Sequence, residues 1–360
     1  MIRQTYTLEI ITPCFCGGAE PSQKAEIRAP SIRGQLRWWF RVLGGFKSLA
    51  PLSVREQEAM IFGETAGDLG KAGKLTLRVK PISIQYSCKN TEGLGYQRFS
   101  DSAYLTFPMQ SRENQDGSRG VLLSGKFEVS LIWRGCSSLV PCLQALGAVF
   151  ANFGSLGFRS RRAMGALASV GQHLPSTGWQ QHFQQPHGII VRSMPAMSSG
   201  DAISKLGGWL KRWRSYGRTQ DHAGNHSDRT KPPHNCGFAY AKRDHDIGYS
   251  ESAVRNEPAY RPALGLPIIQ LVKIGNQRKS NKWEYGKGIP QEPKGRFASP
   301  VILRPHKDFE GKWHALVIFV EARQWPAGKP VFINGQPRAV SLDLFIAMKD
   351  DAPGFFVSFP

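Results

Sequence analysis

Residues 28–45 read Arg-Ala-Pro-Ser-Ile-Arg-Gly-Gln-Leu-Arg-Trp-Trp-Phe-Arg-Val-Leu-Gly-Gly, and no other stretch limits the fold so tightly. At 100° per residue, Ile32, Leu36, Trp39, Phe40 and Leu43 fall on one helical face, so this helix must lie on an apolar layer. Ser31 is placed to cap it and Gly44-Gly45 to stop it. Arg33, Arg37 and Arg41 stack at i, i+4 and i+8 on the adjoining face, with no acid among them. Like charges at that spacing repel unless an anion lies across them. Trp38 falls between the two faces.

Around this helix the period changes to two. Tyr6, Leu8 and Ile10 alternate with Thr7 and Glu9, and Pro13 ends that first strand. Leu75, Leu77 and Val79 alternate with Thr76 and Arg78, and the pattern continues through Ile82 and Ile84. A polar, glycine-rich stretch at 93–120 reads as a long loop or hairpin arm. Phe127, Val129, Leu131 and Trp133 alternate again, ahead of a helix at about 139–153. A further strand at 166–170 completes strand, helix, strand, strand, helix, strand, the order of a ferredoxin-like unit.

Between that second helix and that last strand, Gly154, Gly157 and Gly165 frame Arg159, Arg161 and Arg162. Glycines permit left-handed backbone and close approach, so amides can turn toward a phosphate that the arginines neutralise. On this reading, replacing Gly157 by valine impairs RNA binding with little change in melting temperature. The whole chain supports a polyanionic partner: 47 Lys plus Arg against 27 Asp plus Glu give a net charge of +20 over 360 residues.

The second half is less regular. A helix is expected at 199–218, strands at 298–304 and 315–320, and a late helix at 341–348. Between about 219 and 260 periodicity disappears, and His222, His226, His234, Cys236 and His245 sit among polar residues in what reads as a mobile loop. Neither the spacing nor a second Cys pair makes a zinc site there. The six cysteines include no Cys-x-x-Cys, and no apolar run nears the roughly 20 residues of a membrane helix. No secretion signal is visible, so a reduced, cytoplasmic setting is expected. There is no Walker A loop, dinucleotide fingerprint, His-Glu-x-x-His or helix-turn-helix reader. No metal or cofactor is expected.

Three segments together carry a resemblance: Thr12-Pro-Cys-Phe-Cys-Gly-Gly-Ala, Ile27-Arg-Ala-Pro-Ser-Ile-Arg-Gly-Gln-Leu-Arg-Trp-Trp-Phe-Arg, and the 154–165 loop. They resemble the RAMP superfamily of CRISPR effector subunits, and more narrowly the first-numbered subunit family of the type III-B Cmr complex. Pro262-Ala-Leu-Gly-Leu-Pro and Arg296-Phe-Ala-Ser-Pro look like that family too. The resemblance implies an α+β chain of two ferredoxin-like (RRM-like) domains with long insertions, at 1–175 and 176–360. It implies a non-catalytic subunit that holds the 3′ region of a guide RNA and the target RNA paired with it, beside other Cmr subunits and away from membranes. It places Arg33, Arg37, Arg41, Arg159, Arg161 and Arg162 at the RNA, and the reading of the helix and the loop adds Trp38, which either stacks on a base or packs within the protein, and Gly154, Gly157 and Gly165, which let the backbone approach. The rival within the superfamily is a metal-independent ribonuclease that cuts repeat RNA, for which His222, His226 or His234 would supply the base.

Overall fold

A computed structural model describes residues 1–20, 24–64, 70–87, 105–106, 120–171, 178–215, 240–249, 256–266, 268–274, 277–285, 296–355 and 357–358. They belong to two compact units that alternate along the chain: Met1–Gly207 with Ile302–Ile318, and Gly208–Val301 with Phe319–Ser358.

The first unit begins with β1 (Ile2–Ile10), α1 (Ala29–Val42), α2 (Val54–Phe62), the short pair β2 (Gly63–Glu64) and β3 (Lys71–Ala72), β4 (Leu75–Ser87), β5 (Val121–Trp133), α3 (Val140–Phe153) and β6 (Leu167–Ser169). β1, β4, β5 and β6 form one antiparallel sheet in the order β4-β5-β1-β6. Trp133 stands opposite both Ile2 and Leu75, and Leu8 stands opposite Ser169. The expected strand, helix, strand, strand, helix, strand path is therefore present here. Pro81 is tolerated within β4 because that strand is an edge and its register slips at that point.

Ile32, Leu36, Trp39, Phe40 and Leu43 are all buried, as the helical wheel requires. Trp39 packs 6.2 Å from Phe153 of α3, and Phe40 lies 5.0 Å from Phe46 and 5.7 Å from Phe62, ring centre to ring centre. Each such aromatic side chain stabilises the fold by roughly 1.5–3 kcal/mol relative to an exposed one. The start of α1 differs from the sequence reading. Ser31 lies inside the helix, Arg28 occupies the cap without a side-chain bond, and Pro30 sits in the first turn. Proline fixes the helical φ and lacks the amide a cap would satisfy, so nucleation does not need Ser31.

The remaining elements in chain order are β7 (Ile189–Ala196), α4 (Ser199–Ser215), α5 (Tyr240–Tyr249), β8 (Ile268–Ile274), β9 (Gln277–Tyr285), β10 (Val301–Lys307), β11 (Trp313–Val320), β12 (Val331–Ile333), β13 (Gln336–Arg338), α6 (Asp343–Phe355) and β14 (Val357–Ser358). In the first unit, β7, β10 and β11 associate in the order β10-β11-β7. In the second, β8, β9, β12 and β13 make an antiparallel sheet in the order β13-β12-β9-β8, over a core that includes Ile247, Leu266, Trp283, Tyr285 and Trp325. Separate antiparallel sheets with helices between their strands make the architecture α+β.

Residues 240–249 were expected within a mobile loop and are instead helical. Tertiary bonding outweighs their weak local pattern. Asp244, fully buried, accepts the amides of Tyr260 at 2.8 Å and Arg261 at 2.7 Å, and pairs with the Arg261 guanidinium at 2.9 Å. His222, His226, His234 and Cys236 lie outside the described residues, as does almost all of the 93–120 stretch.

Candidate nucleic-acid interface

The three stacked arginines of α1 have different partners. Arg33 donates to the backbone carbonyls of Phe62, at 3.3 Å, and Leu75, at 2.8 Å, tying α1 to the end of α2 and the start of β4. Arg37 pairs with Glu58 of α2 at 2.6 Å, and Arg41 reaches the same carboxylate oxygen at 3.7 Å. Glu58 is the anion that the row of like charges needed, and it comes from outside the helix. The reading of α1 alone missed it. A local signal for it exists in Ser53-Val-Arg-Glu, a capping box that starts α2 and sets Glu58 one turn in. Arg37 and Arg41 remain 36% and 43% exposed, so both still face solvent.

The 154–165 loop is built from both of its ends. Gly157 has φ +80°, and a β-carbon there would stand 2.7 Å from the Phe15 carbonyl oxygen. Gly165 has φ +66°, and a β-carbon there would meet the Leu156 carbonyl oxygen at 1.9 Å. A β-carbon on Gly154 would meet the Phe150 carbonyl oxygen at 2.3 Å. The fold itself demands these glycines, which corrects the expectation that Gly157→Val would leave melting nearly unchanged. Most of the loop amides are also spent on the protein. Leu156 donates to Gly165, Phe158 to Phe15, Arg162 to Arg159, Ala163 to Leu303 and Gly165 to Pro13, at 2.7–3.0 Å. What this loop offers a ligand is its side chains.

Among those, Arg159 holds a φ of +63° and donates through Nε to the Leu105 carbonyl at 2.7 Å, while Arg162 donates to the Arg161 carbonyl at 3.0 Å. Arg161 points toward α1, its guanidinium carbon 4.9 Å from the centre of the Trp38 ring. Trp38 in turn meets Trp39 edge to face at 4.8 Å. Gln35, Trp38, Arg41, Ser155, Ser160 and Arg161 line a cleft of about 180 Å³. That is less than the 300–1,000 Å³ of a typical small-molecule site and suits one group of a larger ligand. Of the sequence-predicted residues, Trp38, Arg41 and Arg161 converge here. Arg33 and the glycines serve the fold, and Arg37 engages Glu58.

Arg304 of β10 is a residue the sequence did not single out. It is fully buried, and donates to the carbonyls of Gly154 at 3.1 Å, Pro305 at 3.1 Å and Leu167. Its guanidinium thereby joins the two ends of the loop, Gly154 before it and Leu167 after it. Burial pushes this guanidinium down to about 9. Nothing in Leu303-Arg-Pro distinguishes such an arginine from an exposed one. No cluster of three or more His, Cys, Asp or Glu suited to a metal exists among the described residues, and no described helix is long and apolar enough to cross a membrane.

Residues 7–168, which contain α1, the loop and all of the cleft lining except Ile302, match the family model of the RAMP superfamily. The match covers less than half of the 360-residue chain, and over these residues the chain is similar to RAMP-superfamily proteins. The chain is similar to CRISPR system Cmr subunit Cmr1-1 of Pyrococcus furiosus, with 29% identity over 178 residues, covering 47% of this chain and 45% of that protein. Cmr1-2 of the same organism is 39% identical over 66 residues, covering 18% of this chain and 35% of that protein. The matched region thus spans less than half the length of either relative. The crystal structure of Cmr1 from Pyrococcus furiosus in its apo form has a TM-score of 0.50 at 15% identity, over 93% of this chain and 99% of that one. At that identity the likeness concerns the fold.

Proposed function

We propose that this chain is a non-catalytic, RNA-binding subunit of a type III-B Cmr RNA-guided complex in the cytoplasm. It holds the 3′ region of the guide RNA and the target RNA paired with it, beside other Cmr subunits. The observation that carries this reading is the convergence of Arg161, Trp38 and Arg41 on one cleft: two cations for phosphates and an aromatic face for a base or sugar. The net charge of +20 and the Cmr names of the similar proteins support it. In this reading the chain comprises two ferredoxin-like domains, 1–175 and 176–360. Support comes from element order: β7, α4, β10, β11, α6 and β14 repeat along the chain the strand-helix succession of the first sheet. Base pairing selects the sequence, while protein contacts position the strands.

The test is titration of labelled RNA carrying a CRISPR repeat and spacer at several salt concentrations, with each sample also run on a denaturing gel. Intact RNA and salt-sensitive binding are expected. Arg161→Ala should flatten the plot of log K against log salt by about 0.7, the share of one single-strand phosphate. Trp38→Ala should cost about 1–3 kcal/mol of affinity with the slope unchanged. Discrete cutting within the repeat would overturn the non-catalytic reading. Wild-type behaviour of both variants would remove the cleft from the interface.

A further inference from the structure

Beneath the 154–165 loop lies the segment Pro13-Cys14-Phe15-Cys16. Its backbone exchanges two hydrogen bonds with Leu122, at 2.8 and 2.9 Å, and its carbonyls accept Gly165 N at Pro13, 2.9 Å, and Phe158 N at Phe15, 3.0 Å. Residues two apart on extended backbone point to the same side. Here that rule brings the Cys14 and Cys16 sulfurs to 3.0 Å, both side chains buried. The Cys14 thiol is also 3.5 Å from the Leu156 carbonyl, inside the loop itself. The other described cysteines are placed differently: Cys136 faces the Arg134 carbonyl, and Cys142 lies beside Ser48 and His182.

We propose that Cys14 and Cys16 form a redox-modification site, a dithiol that closes to an intrachain disulfide by exchange with a small-molecule disulfide and shifts the 154–165 loop as it does so. The loop consequence rests on the RNA-binding reading above; the chemistry does not. In the first step one cysteine thiolate attacks the oxidant, its S–S bond breaks, a mixed disulfide forms and one small thiol leaves. In the second the other cysteine attacks the protein-bound sulfur of that mixed disulfide, the Cys14–Cys16 bond forms and the second small thiol leaves. The two cysteine protons end on the two small thiols; the cysteines lose two electrons and the oxidant gains them.

Closure changes what the loop rests on. A disulfide bond is about 2.05 Å long, so the sulfurs must approach by about 1 Å and the thiol beside the Leu156 carbonyl loses its proton. Leu156 donates to Gly165 and Phe158 to the Phe15 carbonyl, so a displacement of this segment passes into the loop that carries Arg161. The bond to Cys16, then burial, hold the Cys14 thiol well above its ordinary pKa. Exchange therefore awaits an opening of this segment and is slow.

The test uses the full chain, incubated with oxidised and reduced glutathione in varied ratio, alkylated under denaturing conditions and digested. The expected result is a peptide spanning Cys14 and Cys16 that is two hydrogens lighter and carries no alkyl group, with Cys136 and Cys142 alkylated. RNA affinity at fixed salt should fall about tenfold on oxidation, the worth of one charge-assisted contact, and return with dithiothreitol. A chain with Cys14→Ser and Cys16→Ser, shown by its melting to be folded, should bind RNA equally in both conditions. Alkyl groups on both cysteines after oxidation would overturn the site. A disulfide without loss of affinity would overturn its coupling to the loop. Should neither form bind RNA, the RNA-binding reading fails while the mass shift still decides the dithiol.

Discussion

Arg37 and Arg41 share one oxygen of Glu58, and each keeps more than a third of its side chain in solvent. Ion pairs this exposed contribute about 0–1 kcal/mol, because water and salt screen them. A phosphate entering the cleft can therefore compete for Arg41, the longer of the two contacts at 3.7 Å and a residue of the cleft wall. Glu58 thus sets how much of the α1 charge is available to a polyanion. Glu58→Gln should tighten RNA binding and steepen the salt dependence by about 0.7 per released arginine. The same change should lower the melting temperature, since Glu58 is itself nearly buried and its two cations lose their counter-charge. An unchanged slope, measured on the folded variant, would mean that neither arginine reaches the RNA.

For the loop as an element, backbone geometry outweighs chemistry. Gly165 combines a left-handed φ with a β-carbon position 1.9 Å from a carbonyl oxygen, whereas the Gly157 contact is looser at 2.7 Å. A left-handed φ alone costs a non-glycine residue about 1–2 kcal/mol, and the clash adds to that. Gly165→Ala should lower the melting temperature by at least about 2–4 °C, as read by calorimetry, with Gly157→Ala milder. Equal or negligible shifts would mean that the loop relaxes around either change. The sequence disclosed the elements whose signal is local. α1 was legible because five large apolar residues share one face, and β1, β4 and β5 because they alternate; β6, only three residues long, was expected from its place in the order of strands and helices. The strands β12 and β13 have three residues each, too few for a period to register. Arg304 and Glu58 were hidden for a different reason. Each acts on residues distant in the chain, and Gly154 and Leu167 lie about 150 and 137 positions from Arg304.

At the scale of the molecule, the net charge of +20 makes any further cation costly. Among the described residues, His306 is a histidine whose burial sets the direction of that cost. It is buried on β10 beside Arg304, whose N–H donates to its Nδ1 at 3.1 Å, so the imidazole is held neutral as an acceptor. Burial first, then the charges of Arg304 and His314, keep its pKa well below the ordinary 6.5. In the unfolded chain the same histidine titrates near its ordinary value. Below about pH 6.5 the unfolded state therefore binds a proton that the native state refuses, and stability falls with pH until the folded value is reached. Above that window the contribution is fully present. The limiting slope for one proton is about 1.4 kcal/mol per pH unit. His306→Gln keeps an acceptor for Arg304 but cannot titrate. Urea unfolding of both proteins between about pH 5 and 7.5 should show the variant with the shallower dependence, by up to that one-proton slope. Parallel curves would mean that His306 gains its proton without unfolding, and that Arg304 does not need it neutral to hold the ends of the loop together.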